Sequence, residues 1–215
     1  MQWLYDLLVV HGTYWAAWGC RWPHIAALYR ENLRERHLEV APGTAYLPNK
    51  VGLPGDAPEV HLLDLHEGSL DVSERRLARY SPKRHQGDVL APFPTGIGTV
   101  QSVAAANLLH CVRGIGGGGI ASKAPIFDNV AAVLEEGGTF FGTTVVRWDR
   151  IGADVPMSGF GRRLLVKMND QGVFANLSDS REDLERELTS RFDDVHVELR
   201  GAMALWSAKG RGPGR

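Results

Sequence analysis

Cysteine is scarce in this sequence: Cys20 and Cys111 are the only two among 215 residues, and they form no CxxC motif. A disulfide framework is therefore not expected, and a reducing cytoplasm is the predicted location. None of the eight histidines belongs to an HExxH motif or pairs with a cysteine at ligand spacing. We therefore expect no metal site.

An excess of charge and long apolar runs are also missing. The formal net charge is −1, which gives no reason to expect nucleic acid or an anionic membrane as a partner. No apolar run is long enough to span a bilayer, and the first residues lack the basic start and cleavage site of a signal peptide. A small molecule is the expected partner of a monomer or homodimer.

Strand-like and helix-like segments alternate along the chain, which favours a mostly parallel sheet covered on both faces. The predicted strands are residues 37–40, 60–65, 83–90, 99–105, 139–146, 195–201 and 202–209. The predicted helices are residues 22–37, 69–80, 124–138, 162–171 and 180–192. The sequence therefore predicts an α/β fold with a doubly wound, mostly parallel seven-stranded sheet that ends in an antiparallel hairpin.

The length suits one domain, which we place at residues 1–209. Residues 1–36 are expected to form a helical cover over the active site, and the glycine-rich residues 210–215 a disordered tail.

Three acids stand at the ends of successive strands: Glu39, Asp64 and Asp88. Ligands of open α/β sheets bind at this edge. Asp64 lies 21 residues after Gly43, where a carboxylate can accept hydrogen bonds from ribose hydroxyls, and Asp88 could accept one from an exocyclic amine of adenine. Each acid could instead cap a loop or helix. Three acids at successive strand ends favour a nucleotide-like ligand.

The glycine patterns of phosphate-binding nucleotides are incomplete. Read as GxGxxG, the turn after the first strand holds Ala41, Gly43 and Tyr46 at the glycine positions, so NAD is disfavoured. The segment "GGGGIASK" has no Gly-Lys-Ser/Thr, which disfavours a P-loop. A ligand without phosphates tolerates a looser turn.

Five motifs occur in a characteristic order: "HLEVAPGTAYLP", "LLDLHEGSL", "QGDVLAPFP", "SVAAANLLHCV" and "LEEGGTFFGTT". In this order the chain resembles the class I S-adenosylmethionine-dependent methyltransferases over nearly its whole length. The resemblance implies the Rossmann-like fold of that family and S-adenosyl-L-methionine as cofactor. It also implies methyl transfer to a small, aromatic or apolar metabolite, as in secondary metabolite biosynthesis.

The resemblance also implies where the cofactor lies. Glu39 and the turn with Ala41 and Gly43 would lie under its methionyl and ribose parts. Asp64 and Leu65 would hold the ribose, and Asp88 and Val89 the adenine. Asn107 would face the sulfonium and the substrate.

Aromatic side chains near the start of the chain are candidates for the substrate wall: Tyr14, Trp15 and Trp18. Trp15, Trp18 and Trp22 could instead form a core stripe. His110, after the fourth strand, is the first candidate for a general base because a histidine ordinarily titrates near neutrality. His11 is the second candidate, and either histidine could instead be a packing or surface residue.

Departures from the family pattern leave other functions open. Ala41 and Ala45 replace glycines, and Gln101 stands where the family often has an acid. An alternative is therefore an enzyme of the same fold that catalyses cyclisation or isomerisation, with or without bound S-adenosylmethionine. A non-catalytic partner subunit is a third possibility.

Overall fold

The computed structural model describes residues 14–147 and 157–212, and its central feature is a seven-stranded sheet. The strands are β1 Arg36–Val40, β2 Glu59–Asp64, β3 Lys83–Gln86, β4 Val100–Ala106, β5 Leu134–Val145, β6 Phe192–Arg200 and β7 Met203–Gly210. Their order is β3-β2-β1-β4-β5-β7-β6. Strands β1 to β5 are parallel to one another, whereas β7 is antiparallel to both β5 and β6. The predicted sheet and its antiparallel C-terminal hairpin are confirmed.

The helices connect these strands. They are α1 Tyr14–Ala16, α2 Trp22–Asn32, α3 Tyr46–Val51, α4 Glu67–Arg76, α5 Ala124–Val133, α6 Gly159–Asp170 and α7 Arg181–Thr189. None of those that can be described is long and apolar enough to cross a bilayer.

Helices cover both faces of the sheet. Successive residues of a strand point to opposite sides, so neighbouring residues of β5 contact helices on opposite faces. On one face Tyr29 of α2 packs edge-on against Phe141 of β5, with ring centroids 5.0 Å apart. On the other face Phe127 of α5 packs against Phe140, at 6.2 Å. The predicted doubly wound arrangement is therefore confirmed. Helix α2, which we expected within a cover at residues 1–36, packs on the sheet against β5 and β7.

The helix predicted over residues 124–138 is too long. Helix α5 ends at Val133, and β5 begins at the next residue. Gly137 and Gly138, at the end of the predicted helix, lie in the strand, where the register of β4 and β5 shifts. Gly210 of β7 passes so close that a Cβ there would lie 2.3 Å from the carbonyl oxygen of Glu135.

The predicted tail also begins too early. Gly210 is the last residue of β7. The Arg211 guanidinium donates hydrogen bonds to the carbonyl oxygens of Thr189, Ser190 and Phe192. These contacts fix the chain to the end of α7 beyond the predicted boundary at residue 209. The third strand is shorter than predicted, because β3 ends at Gln86 and not at residue 90.

Candidate active site

The carboxyl ends of β1, β2 and β4 lie side by side at one edge of the sheet. Strand β1 pairs with β2 on one side and with β4 on the other, so the direction of the connections reverses there. Such a switch point opens a crevice outside the strand ends. Ala41, Asp64 and Asn107 stand at these three ends.

The turn after β1 adopts the conformation that glycine normally supplies. Ala41, Gly43 and Ala45 have φ values of 52°, 55° and 49°. The turn is closed by bonds from Ala41 N to Leu63 O and from Ala45 N to Pro42 O, both 2.7 Å. A Cβ on Gly43 would meet no atom within 4 Å. The two alanines therefore hold the glycine-like turn, and its outer side is open.

Glu39 lies buried beneath this turn. Its Oε1 accepts a 2.7 Å hydrogen bond from the Tyr29 hydroxyl, and its Oε2 lies 2.9 Å from Nε2 of His37. The other ring nitrogen of His37 is 2.9 Å from Oγ of Ser102. Both carboxylate oxygens thus have protein partners, and this network connects α2, β1 and β4.

Asp64 closes β2 and accepts a 2.8 Å hydrogen bond from the backbone N–H of His66. Burial raises the pKa of the Asp64 carboxyl above its usual value. The next residue, Leu65, is 54% exposed. An apolar side chain therefore projects from the strand end beside a carboxylate.

Asp88 and Val89 follow β3. Asp88 is exposed and accepts a 2.9 Å hydrogen bond from the backbone N–H of Leu90. Val89 is buried, and its carbonyl oxygen accepts a bond from the Asn129 side chain. These contacts hold the loop after β3 against α5.

Asn107 joins the end of β4 to the start of the described chain. It has a φ of 59°, and its backbone N–H donates to Thr143 O at 2.7 Å. Its side-chain amide donates to the Tyr14 hydroxyl, and its Oδ1 accepts a 3.1 Å bond from Thr143 Oγ1. A predicted substrate residue and a predicted cofactor residue are thereby in direct contact.

The tryptophans are not equivalent. Trp15 is 60% exposed and borders a surface depression with Trp22 and Pro23. Trp18 is 3% exposed, belongs to the core and packs against Phe174 with centroids 6.1 Å apart. They do not share one helix, because α1 ends at Ala16 and α2 begins at Trp22. His11 lies outside the described residues.

His110 is a buried residue. Its Nδ1 accepts a 3.2 Å hydrogen bond from the backbone N–H of Val145, and its ring packs on Phe174 with centroids 4.4 Å apart. Burial, and secondarily the nearby Lys123, lowers the pKa of His110 to about 3. The expectation of a base that titrates near neutrality is therefore wrong for His110, because burial disfavours the charged imidazole. The residue type alone does not reveal that burial.

A buried ion pair below the loop after β4 was missed from the sequence. Lys123 Nζ lies 2.6 Å from Oδ2 of Asp179, and both side chains are inaccessible to solvent. Burial raises the pKa of Asp179 to about 6 although Lys123 opposes this shift. The sequence signal was slight: Asp179 precedes Ser180, the N-cap of α7. Phe174 and Thr143 were missed as well.

Gln101 has no part in the crevice. It lies near the start of β4, at the opposite edge from Asn107, where its Oε1 accepts a 3.2 Å hydrogen bond from the Arg36 backbone. Its departure from the family pattern therefore does not bear on the ligand-binding edge. Within residues 14–147 and 157–212, no group of three His, Cys, Asp or Glu side chains could hold a metal ion.

Curated relatives cover most of the chain. It is 34% identical over 205 residues to the demethylluteothin O-methyltransferase of Streptomyces thioluteus, covering 95% of this chain and 85% of that one. It is 31% identical to the putative uncharacterized protein YbcY of Escherichia coli strain K12, covering 91% and 96%. It is 29% identical to the N-methyltransferase vrtF of Penicillium aethiopicum, covering 89% and 76%. No protein-family model matches the sequence.

Solved structures share the fold. The pyocyanin biosynthetic protein PhzM has a TM-score of 0.62 at 18% identity, over 86% of this chain and 54% of that one. Human N-acetylserotonin methyltransferase, in complex with SAM, has a TM-score of 0.62 at 13% identity, over 88% and 51%. The N-methyltransferase NodS of Bradyrhizobium japonicum WM9 has a TM-score of 0.59 at 11% identity, over 88% and 94%. The chain thus spans about half of the first two and nearly all of NodS.

The fold, the crevice at the switch point and the relatives define one class of protein. The chain belongs to the class I S-adenosylmethionine-dependent methyltransferases. It is accordingly a methyltransferase, and the non-methylating alternative is not favoured.

Proposed function

We propose that the protein transfers a methyl group from S-adenosyl-L-methionine to an oxygen or nitrogen of a small aromatic or apolar metabolite. The observation that carries this proposal is the convergence of the Ala41–Ala45 turn, Asp64 and Asn107 at one strand edge. The relatives named as O- and N-methyltransferases support the reaction type. The demethylluteothin enzyme supports a role in secondary metabolism.

The residues at the edge suit this cofactor. The open side of the turn at Gly43 leaves room for its methionyl part, which carries no phosphate. The Asp64 carboxylate would accept bonds from the ribose hydroxyls. The exposed Leu65 and the loop at Asp88 and Val89 would hold the adenine, which has an apolar face and an exocyclic amine.

Glu39 would support the cofactor site from beneath the turn. Because both its oxygens are bonded to Tyr29 and His37, it would hold the turn in place beneath the methionyl part. A buried carboxylate with two protein partners is a rigid support.

When bound, the cofactor supplies a methyl group on an electron-poor sulfonium. The protein's own part is alignment and exclusion of water. Asn107 holds the Tyr14 ring at the end of β4, so that Tyr14 can orient a flat acceptor, while the core residue Trp18 packs against Phe174. His11 remains the proposed base for an acceptor that must lose a proton, with the Tyr14 hydroxyl as the next candidate.

The proposal extends to the location and assembly of the protein. Both cysteines are free thiols, which agrees with a reducing cytoplasm. We propose a monomer or homodimer that acts on a small molecule and not on nucleic acid or a membrane.

Titration calorimetry with S-adenosylmethionine and S-adenosylhomocysteine tests the cofactor, and transfer of a labelled methyl group to a panel of phenols and aromatic amines tests the reaction. We expect both ligands to bind and at least one acceptor to be labelled. Absence of binding by either ligand would refute the proposal. Binding without labelling of any acceptor would instead favour a non-methylating enzyme.

A further inference from the structure

A second cleft opens between the segment at residues 113–122 and residues 169–178, which are the end of α6 and the loop that follows it. Its volume is about 420 Å³. The two loops approach closely, because a Cβ on Gly119 would lie 3.1 Å from the carbonyl oxygen of Ser178. Neither the strand-end acids nor Tyr14 lines it.

Arg113 provides an uncompensated positive charge on one side of this cleft. Among the residues that the structure describes, its guanidinium has no hydrogen-bond acceptor and no carboxylate partner. It is positioned all the same: a Cβ on Gly172 would lie 2.5 Å from its Nη2, so the guanidinium rests on the Gly172 backbone. The other cation near this loop, Lys123, is neutralised by Asp179.

Backbone N–H groups lie along the same cleft. Gly117, Gly118 and Gly119 line the cleft, and in residues 14–147 and 157–212 no protein acceptor takes their N–H groups. The absence of side chains leaves these groups accessible, since a Cβ on Gly117 would meet nothing within 4 Å. Successive free N–H groups in a glycine-rich turn provide a concave set of anion donors.

Phe174 connects this cleft to the reaction edge. It lines the cleft, and its ring packs on both Trp18 and His110. Arg113 lies six residues after Asn107, in the loop that follows β4. A molecule with an anionic end in the cleft and an apolar body along Phe174 would extend toward Trp18.

We propose that this cleft binds an anionic group, a carboxylate or phosphate, carried by the methyl acceptor. A guanidinium presents parallel N–H groups that match the two oxygens of either anion, and the glycine N–H groups supply further donors. Only the source of the anion rests on the proposed function. The cleft's affinity for an anion stands by itself.

The affinity is tested without turnover. Inorganic phosphate is titrated into the ¹⁵N-labelled full chain at constant ionic strength, and the amide signals of Gly117, Gly118 and Gly119 are followed by NMR. We expect saturable shifts at these glycines and none at Gly68, which lies in α4. Arg113→Gln should weaken phosphate binding by about tenfold or more, the usual effect of losing a hydrogen bond to a charged group.

Arg163→Gln is the matched control, because Arg163 is an exposed arginine of α6 that does not line the cleft. It removes the same charge and should leave the phosphate affinity unchanged. Arg113→Lys should bind with intermediate affinity. Equal losses in Arg113→Gln and Arg163→Gln, or no saturable shift in the wild-type protein, would overturn the site.

The source of the anion is tested by turnover on hydroxybenzoates and the matching hydroxybenzamides. If the acceptor carries the anion, Arg113→Gln raises KM for the benzoates alone, and phosphate competes with them. If the two acceptor types respond alike, the anion is a free one, and the assignment to the acceptor is wrong. Labelling of neither type would count against the proposed function, while the phosphate result would still decide the site.

Discussion

Ala41 and Ala45 hold left-handed backbone conformations that normally belong to glycine. Such a conformation costs an L-residue about 1–2 kcal/mol. The two sites differ in burial, because Ala45 is fully buried in the core cluster that contains Leu62 and Leu70, whereas Ala41 is half-buried. The same substitution should therefore have different effects at the two positions.

We expect Ala41→Gly to raise the free energy of unfolding by about 0.5–1 kcal/mol, since relief of strain exceeds the added entropy of the unfolded chain. Ala45→Gly should be close to neutral, because it also loses a buried methyl worth about 0.8 kcal/mol. Urea unfolding measures both. A loss of stability in Ala41→Gly would show that the turn is not strained there, and titration calorimetry should show cofactor binding unchanged or tighter in both variants.

Asp64 is the residue on which the proposed cofactor site depends most. Asp64→Ala should weaken S-adenosylhomocysteine binding by about tenfold or more, because a carboxylate–hydroxyl hydrogen bond is lost. Asp170→Ala, at the exposed end of α6, is the control and should bind as the wild type does. Titration calorimetry on samples of equal helix content decides the matter. An unchanged dissociation constant in Asp64→Ala would make Asp64 a loop-capping acid only.

His110 should make stability depend on pH. Its pKa is about 3 in the folded protein and 6.5 when unperturbed, so the unfolded chain binds one more proton as the pH falls below the higher value. The free energy of unfolding should then fall by up to about 1.4 kcal/mol per pH unit below that value. Above it His110 is neutral in both states and contributes nothing.

Urea unfolding from about pH 5 to about pH 8 tests this expectation in wild type and His110→Gln. The variant should be less stable at neutral pH, but its stability should fall less steeply toward acid. His24→Gln, at an exposed position of α2, is the control and should keep the wild-type slope. Equal slopes in wild type and His110→Gln would mean that His110 titrates normally in the folded protein.

Between elements, the Lys123–Asp179 pair is a buried polar link that connects the segment before α5 to the segment before α7. Lys123→Met alone should cost about 3–5 kcal/mol, because it leaves a carboxylate buried without its cation. Lys123→Met combined with Asp179→Asn should cost clearly less than the two single changes together. A double-mutant cycle by urea unfolding gives the coupling.

The exposed pair Arg200–Glu198 provides the comparison for this cycle. Arg200→Met should change stability by less than about 1 kcal/mol. If the Lys123 and Asp179 substitutions were additive, the pair would contribute no coupling despite its burial.

The sheet could be predicted because buried parallel strands are short apolar runs with turn residues between them. The "LEEGG" region could not, because glycines after a helical pattern indicate a helix end, whereas here they lie in β5 at the register shift with β4. The acids at the strand ends could also be predicted, because the apolar run of a strand locates the residue at its end, such as Asp64. The inward direction of His110 depends on Phe174, which is 64 residues away in the sequence and carried no signal.

For the molecule as a whole, cofactor binding should appear as stability. A ligand that binds only the folded state at about 100 times its dissociation constant adds about 2.7 kcal/mol. In a chain of this size this should raise Tm by roughly 5–11 °C. Scanning calorimetry with S-adenosylhomocysteine measures the shift, which Asp64→Ala should largely remove.

NAD serves as the control ligand in the same experiment. It should leave Tm unchanged, because the turn at Ala41 lacks the glycine pattern that admits a pyrophosphate. A larger shift with NAD than with S-adenosylhomocysteine would contradict the proposed cofactor.

The bond between Asn107 and Tyr14 spans 93 residues of sequence. It joins the part of the chain proposed to bind the cofactor to a part proposed to bind the acceptor. The proposed cofactor contacts come from the strand ends between Glu39 and Asn107, whereas the proposed acceptor contacts come from chain before and after that stretch. Mutation in the outer stretches can therefore change the acceptor while the cofactor half is left intact. In evolution, such a protein can gain new substrates through substitutions at a few residues in the outer stretches. For the same reason, the residues around Tyr14 can be randomised in the laboratory while the cofactor contacts stay unchanged.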